Sequence, residues 1–198
     1  MGYSTLIDIA GSTIVGGLIL LTLLNLNKNN VINTYNYGAD VSVQQNLKDL
    51  SQQIESDLNK IGYNAGSSPD YTSAIQIADS SYFTFLSDCD NDSTMDSVSY
   101  HLGPTSDLSY SSNPKDRILY RCTYGNIPDT WKFTGVTIFK LVYYDTSNNI
   151  LSTPVTNTNN IAKIKILLRM ESPQKMDSTY QGAYWNITKP IAYNVVRR

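Results

Sequence analysis

The segment DCDNDSTMD contains four carboxylates at the odd spacing of a calcium loop: Asp88, Asp90, Asp92 and Asp96. Such alternation turns carboxylates toward one hard cation. Two positions depart from the calcium-loop pattern, because Ser93 stands where the sharp turn needs glycine and Ser99 stands where a bidentate Glu is expected. The sequence leaves two interpretations open, a calcium site and a solvated acidic hairpin, and it favours the hairpin.

The remaining residues give little support to an enzymatic function. His101 is the only histidine, so neither a His-based metal cluster nor a second imidazole is available. The sequence has no Gly-rich phosphate loop, nucleophile elbow or CxxC motif. Asp88 and Asp96 could serve as the acid pair of a glycosidase, but nothing in the sequence positions a pocket around them. We therefore expect a non-enzymatic protein.

The composition argues against nucleic acid as a partner. The chain has 198 residues, a formal net charge of −2 and only 16% charged residues, so it has no basic field to hold phosphates. Its polar surface must come from Ser, Thr, Asn and Tyr, a mixture common on secreted and surface proteins. The length suits one globular domain with an appendage.

The two cysteines, Cys89 and Cys122, lie in the polar part of the chain. In an extracellular setting they would form a disulfide that closes a loop of about 33 residues and adds about 3–4 kcal/mol of stability. The alternative is two free, buried thiols. We predict the disulfide, because the chain begins with a membrane-targeted segment.

That segment, GYSTLIDIAGSTIVGGLILLTLLNLNKNN, runs from Gly2 to Asn30 and carries one acid, Asp8, and no basic residue before Lys28. It lacks the positive start and the cleavage site of a signal peptide. Its apolar run is close to the ~20 residues of a membrane-spanning helix. A carboxylate costs about 2.5–3.5 kcal/mol at the centre of a bilayer, and less near an end, so Asp8 invites a functional hypothesis.

A helical period continues beyond this apolar run. Apolar residues recur in steps of three and four from Val31 to Ile61, which is the pattern of a helix with one buried face. Gly62 is a plausible C-terminal stop. We therefore predict one helix over residues ~4 to 62, a rod of about 90 Å. Residues 1–30 form its apolar half and residues 31–62 its amphipathic half. Gly16 and Gly17 lie in the apolar half, and three explanations for them stay open: close helix–helix approach, local melting, and the ordinary tolerance of membrane helices for glycine.

Residues 63–198 read as short strands separated by turns and are predicted to form one antiparallel sheet domain. One face of the sheet should rest on the amphipathic stripe of the helix, which gives an α+β fold. The predicted strands are Tyr82–Asp88, Ser97–Gly103, Arg117–Tyr124, Gly135–Asp145, Ile161–Ser172 and Ala183–Val196.

Several segments, taken in order, resemble those of type IV pilins and pseudopilins, most closely PilW-like minor pilins and J-type pseudopilins. STLIDIAGS (Ser4–Ser12) is similar to the Phe-Thr-Leu-Ile-Glu start of that superfamily, and LKDLSQQIESDLNKIGYNAG (Leu47–Gly66) resembles the end of its helix. The superfamily continues with a strand, an acidic loop, a second strand and a Leu-Tyr-Arg sequence. This part is resembled here by IQIADSSYFTFLSDCDNDSTMDSVSYHLG followed by RILYRC. GVTIFKLVYYDTSNN resembles its next strand and hairpin.

The resemblance implies a mechanical function. The precursor would wait in the inner membrane, be processed by prepilin peptidase, and be extracted by an ATPase-driven assembly machinery into an extracellular helical homo-oligomer. The N-terminal helices would form the filament core, in which Asp8 neutralises the terminal amine of a neighbour. Asp8, Gly16 and Gly17 are then the assembly residues. The alternative for Asp8 is an interfacial residue that caps the start of the helix.

The resemblance has two departures. The acid of the superfamily is usually Glu, and here it is Asp8. Cleavage after Gly2 would place this acid one residue further into the mature chain than is usual, and a longer leader removed ahead of Met1 would shift it further. The basic leader of a prepilin is also missing, which fits a mature chain or a misassigned start. The maturation site stays open.

Other functions stay open beside a filament-forming subunit. The resemblance also fits a minor or tip pilin and a secretion pseudopilin, and some pseudopilins bind calcium in loops. The rival from another class is a monomeric, membrane-tethered adhesin that binds sugar by stacking. The aromatic residues for this are Tyr143, Tyr144, Tyr180, Tyr184 and Trp185, although subunit contacts or a place in the sheet core are favoured for them.

Overall fold

The computed structural model describes residues 2–67, 74–126, 128–175 and 179–191. One helix, α1 (Gly2–Asn59), precedes eight strands that belong to a single antiparallel sheet. The strands are β1 (Ile75–Ala78), β2 (Tyr82–Ser87), β3 (Asp96–Leu102), β4 (Arg117–Tyr124), β5 (Asp129–Tyr144), β6 (Ile150–Leu151), β7 (Lys163–Glu171) and β8 (Gly182–Pro190). The predicted α+β architecture, a long helix packed on an antiparallel sheet, is confirmed.

The helix α1 has two parts that differ in their surroundings. Val43 is its first buried residue, and the buried positions that follow keep the helical period predicted from the sequence. The helix ends beside Gly62, whose φ of 74° is the left-handed conformation of a C-terminal stop. The buried positions are Val43, Leu47, Leu50, Ser51, Ile54, Asp57 and Leu58.

The sheet is curled, and its strand order is β1-β2-β3-β4-β5-β7-β8, with β6 paired to β5. One face of the sheet holds the core, in which Phe85 pairs with Val98 across β2 and β3 and both are buried. Strand β5 bends the sheet because its first half pairs with β4 and its second half with β7. Gly135, with a φ of 84°, lies where the two halves meet.

The predicted strands correspond to β2, β3, β4, β5, β7 and β8, with three corrections. Strands β1 and β6 were not predicted, because they have only four and two residues. Strand β5 begins at Asp129 rather than Gly135, because the chain passes through this glycine without ending the strand. Strand β8 ends at Pro190, and the predicted remainder of that strand, residues 192–196, lies outside the described residues.

Candidate functional site

The N-terminal part of α1 projects from the domain with its apolar side chains exposed. None of the residues 2–42 is buried. Every large aliphatic side chain from Leu6 to Leu26 is between 55% and 67% exposed. Burying one such side chain is worth about 1.5–3 kcal/mol, so this surface must be covered by lipid or by protein. The helix is long and apolar enough to cross a membrane.

Asp8 has no partner of opposite charge within reach on its own helix. Asp8 and Lys28 are the only charged residues before Asp40. Twenty residues separate them, which is about 30 Å along a helix at 1.5 Å per residue. No ion pair in the described residues includes Asp8. Among the described residues, Asp8 therefore has no positively charged side chain as a partner.

The structure places the three predicted assembly residues on one exposed helix without bringing them into contact. A Cβ atom added at Gly16 or Gly17 would meet no atom within 4 Å. At 100° per residue, Gly16 lies about 80° around the helix from Asp8, and Gly17 lies about 180° from it. Each glycine leaves a shallow gap in the helix surface, Gly16 to the side of Asp8 and Gly17 opposite it, and a second helix could approach closely at either gap.

A buried ion pair fixes the other end of the helix to the sheet. Arg121 Nε on β4 donates to Asp57 Oδ2 at 2.6 Å, and Arg121 Nη2 donates to Asp57 Oδ1 at 3.1 Å. The hydroxyl of Tyr100 on β3 also donates to Asp57 Oδ2, at 2.5 Å. The three side chains are almost fully buried. This network, which the sequence did not indicate, sets the direction in which the apolar part of α1 leaves the domain.

The environment of this network shifts two pKa values. Burial, together with the negative charge of Asp57, raises the pKa of Tyr100 well above its ordinary value. Burial alone would lower the pKa of Arg121, but the hydrogen bonds and charge of Asp57 outweigh this and raise it. Both shifts keep Tyr100 neutral and Arg121 charged at physiological pH.

The acidic loop between β2 and β3 brings three of the four predicted calcium ligands together. Carboxylate oxygens of Asp88, Asp90 and Asp96 all lie within 4.8 Å of one another. Asp92 is not part of this group; it accepts from the hydroxyl of Thr94 and from the backbone N–H of Thr94 at 2.7 Å, and these hydrogen bonds lower its pKa. Ser93 has a φ of 72°, so it adopts the conformation for which a calcium loop uses glycine.

The donor set of this loop only partly fits a calcium ion. Asp88 is fully buried, and its two oxygens accept the backbone N–H groups of Ala65, Asp92 and Ser93. Calcium takes six to eight oxygen ligands, and these three carboxylates supply fewer unless they bind through both oxygens. The calcium site at Asp88, Asp90, Asp92 and Asp96 and the favoured solvated hairpin thus both stay open, and Asp88, Asp90 and Asp96 are the members that lie together.

The predicted disulfide between Cys89 and Cys122 is not formed in the structure, and both residues are free thiols. The side chain of Arg121 points from β4 toward α1, so the next residue, Cys122, points to the opposite face of the sheet. Cys89 lies on the helix side, packed against the core. Burial raises the pKa of the Cys89 thiol, which makes it less reactive.

The aromatic residues considered for sugar stacking do not form one surface. Tyr143 is fully buried, and its hydroxyl donates to the carbonyl of Asp79 at 2.9 Å. Trp185 packs against the core, whereas Tyr184, its neighbour on β8, is 53% exposed. The hydroxyl of Tyr180 donates to the carbonyl of Ser112 at 2.5 Å. Tyr143 and Trp185 therefore belong to the core, as favoured from the sequence, and do not join an exposed stacking platform.

Sequence reasoning missed a cavity of about 550 Å³ between α1 and the sheet domain, at the point where the helix leaves the domain. Asp116, which precedes β4, and Glu171, at the end of β7, both line it. No sequence signal indicated this cavity, because its walls come from four separate segments spread between residues 34 and 173.

No family model, curated protein or solved structure matches the chain. Its function must therefore be inferred from its own geometry.

Proposed function

We propose that the chain is a structural subunit of an extracellular, type IV pilus-like filament, assembled from the inner membrane through the N-terminal part of α1. The observation that carries this proposal is the exposed apolar surface that continues beyond the membrane-length segment. Residues 2–26 are enough to cross a bilayer, since about 20 residues suffice. Val31, Tyr37 and Val41 lie past that segment and before the docked part of the helix, yet they are 54%, 73% and 48% exposed.

A simple membrane tether does not need this arrangement. A tether can be flexible and polar between the bilayer and its domain, whereas here the helix continues unbroken and partly apolar through residues 27–42. In a bundle of identical helices, the whole exposed part of α1 is covered by copies of itself. The ion pair of Asp57 with Arg121 supports this proposal, because it holds each helix at a fixed direction to its domain.

Asp8 has a specific role in the proposal. A lone carboxylate in a helix bundle needs a positive partner, and Lys28 of the same chain is too far away to supply it. The terminal amine of a neighbouring processed subunit supplies this charge and sets the axial position of the neighbour. Prepilin peptidase and an ATPase-driven assembly machinery are the partners that such a subunit requires.

Electron microscopy of material sheared from cells that express the chain, labelled with an antibody to the sheet domain, tests this proposal. Labelling along the length of filaments is expected. Labelling only at filament tips would instead identify a minor subunit. Label that stays in the membrane fraction, with no filaments in the sheared material, would contradict the proposal and favour a monomeric, membrane-tethered binding protein.

A further inference from the structure

One of the residues that line the cavity between α1 and the sheet domain has a buried carboxylate oxygen without a partner. Asp116 is 3% exposed, and its Oδ2 accepts from the hydroxyl of Ser111 at 2.8 Å. Its Oδ1 is buried and has no hydrogen-bond partner in the described part of the chain. A carboxyl oxygen in this state costs free energy, because it has lost water and gained no donor. A ligand with a donor group would remove that cost.

The charges around the cavity determine which kind of donor fits. Glu171 is already satisfied, because it accepts from Arg169 Nη2 at 2.9 Å and from Asn113 Nδ2 at 2.9 Å. Asp116 takes part in no ion pair in the described residues. None of the described residues that line the cavity is Lys or Arg. The described lining thus has two acidic residues, Asp116 and Glu171, and no basic one, so it disfavours an anionic ligand.

The walls of the cavity add an apolar and aromatic environment. Val43, Leu108 and Met170 line the interior, and Tyr110, which is 77% exposed, also lines it. An aromatic ring attracts a cation over its face, and apolar walls favour a hydrocarbon stem. A bare metal ion is a poor match, since hard cations need six or more oxygen ligands. The volume of about 550 Å³ lies within the usual range of small-ligand sites.

We propose that this cavity binds a protonated nitrogen on an apolar stem, with the nitrogen donating to Asp116. Two sources share this chemistry, a free organic amine or guanidine and a Lys or Arg side chain of a neighbouring protein. The cavity lies where the helix leaves the domain, so both sources can reach it in a monomer or in an assembly. The proposal does not depend on filament formation.

Titration of the full chain in a non-ionic detergent with n-butylammonium chloride tests the proposal. The chain has four Met residues, and 13C-methyl labelling of methionine gives separate signals for Met170, which lines the cavity, and Met95, which does not. Saturable movement of the Met170 signal, with Met95 unchanged, is expected. Sodium pentanoate and n-butanol have the same butyl stem without the cation and should cause no saturable change. Absence of a saturable Met170 shift with n-butylammonium would overturn the proposal.

Three variants sharpen the test. Asp116→Asn keeps the side-chain shape and should weaken binding at least tenfold, whereas Asp107→Asn, an exposed acid outside the cavity wall, should leave it unchanged. Gly38 lines the cavity, and a Cβ added there would meet no atom, so Gly38→Leu should fill the space and abolish binding without touching a carboxylate. Equal binding by wild type and a folded Asp116→Asn protein would refute the role of Asp116. If Asp116→Asn does not fold, unchanged binding to Gly38→Leu would refute the site.

A photo-cross-linking amino acid in place of Tyr110, used in intact cells, separates the two sources. A cross-link to another protein at a segment that carries Lys or Arg assigns the side-chain source. Saturable n-butylammonium binding without any such cross-link assigns the free amine. Because the titration is done on unassembled protein, a negative filament experiment would leave its result intact.

Discussion

Replacing Asp57 by Asn should destabilise the sheet domain by about 3–5 kcal/mol, because it leaves the buried guanidinium of Arg121 without a counter-charge. The side chains of Arg121 and Asp57 are only 9% and 7% exposed, so water cannot replace the lost charge. A matched control lies on the same helix. Glu55 pairs with Lys189 at 3.5 Å with side chains 37% and 27% exposed, so Glu55→Gln should cost less than about 1 kcal/mol.

Removing both charges together should cost much less than removing one. In a Tyr100→Phe background, which avoids leaving a hydroxyl without its acceptor, Asp57→Leu with Arg121→Met should lie within about 1 kcal/mol of the background protein. Each single replacement in that background should be several kcal/mol less stable. The comparison separates the cost of an unpaired buried charge from the loss of packing.

Urea unfolding of the full chain in a non-ionic detergent, followed by tryptophan fluorescence, measures these differences. The ring of Trp131 lies 5.6 Å from the guanidinium carbon of Arg121, so the signal reports on the region of the ion pair. The reasoning is refuted if Asp57→Asn costs no more than Glu55→Gln. It is also refuted if the double replacement is less stable than either single one.

Three further outcomes follow from the same structure. If the acidic loop binds calcium, chelation should lower the melting temperature of the wild type, and Asp90→Ala should remove the difference; an unchanged wild-type curve would favour a solvated hairpin. A non-reducing peptide map should give Cys89 and Cys122 as separate free thiols, and a cross-linked pair would contradict the position of Cys122 on the opposite face of the sheet. Because the pKa of Tyr100 is raised in the folded state, its stabilising contribution should be fully present below about pH 10, the ordinary tyrosine value, and should be lost as the pH rises further. The melting temperature of Tyr100→Phe should therefore decrease less steeply with pH than that of the wild type, and equal slopes would argue against this role.

The sequence predicted those parts of the fold that depend on local pattern. The steps of three and four from Val31 to Ile61 indicated the docked face of α1, and burial follows that pattern from Val43 onward. The helix ends at Asn59, three residues before the predicted stop at Gly62, which has a positive φ in the turn that follows. Gly135, by contrast, was wrongly taken as the start of a strand, because a glycine with positive φ can end a strand or bend it, and only the pairing partners decide.

The parts that the sequence could not predict depend on which residues meet across the sheet. Cys89 and Cys122 have a spacing that allows a disulfide, but one-residue alternation along β4 puts Arg121 on the helix side and Cys122 on the other. The contact of Asp57 with Arg121 joins residues 64 positions apart. The cavity at Asp116 likewise needs the helix, the loop before β4 and the end of β7 in place together.

The role of Asp8 in assembly is the most direct test of the filament proposal. Asp8→Ala should leave the sheet domain folded and the chain in the membrane, since Asp8 lies about 50 Å from Val43 along the helix at 1.5 Å per residue. The measurement is the yield of sheared filaments, normalised to membrane-bound subunit. We predict at least a tenfold decrease for Asp8→Ala, since a loss of 1.4 kcal/mol per contact is a factor of about ten, and near-normal yield for Asp8→Glu. A normal yield from Asp8→Ala would contradict the account and leave the apolar part of α1 as an ordinary membrane anchor.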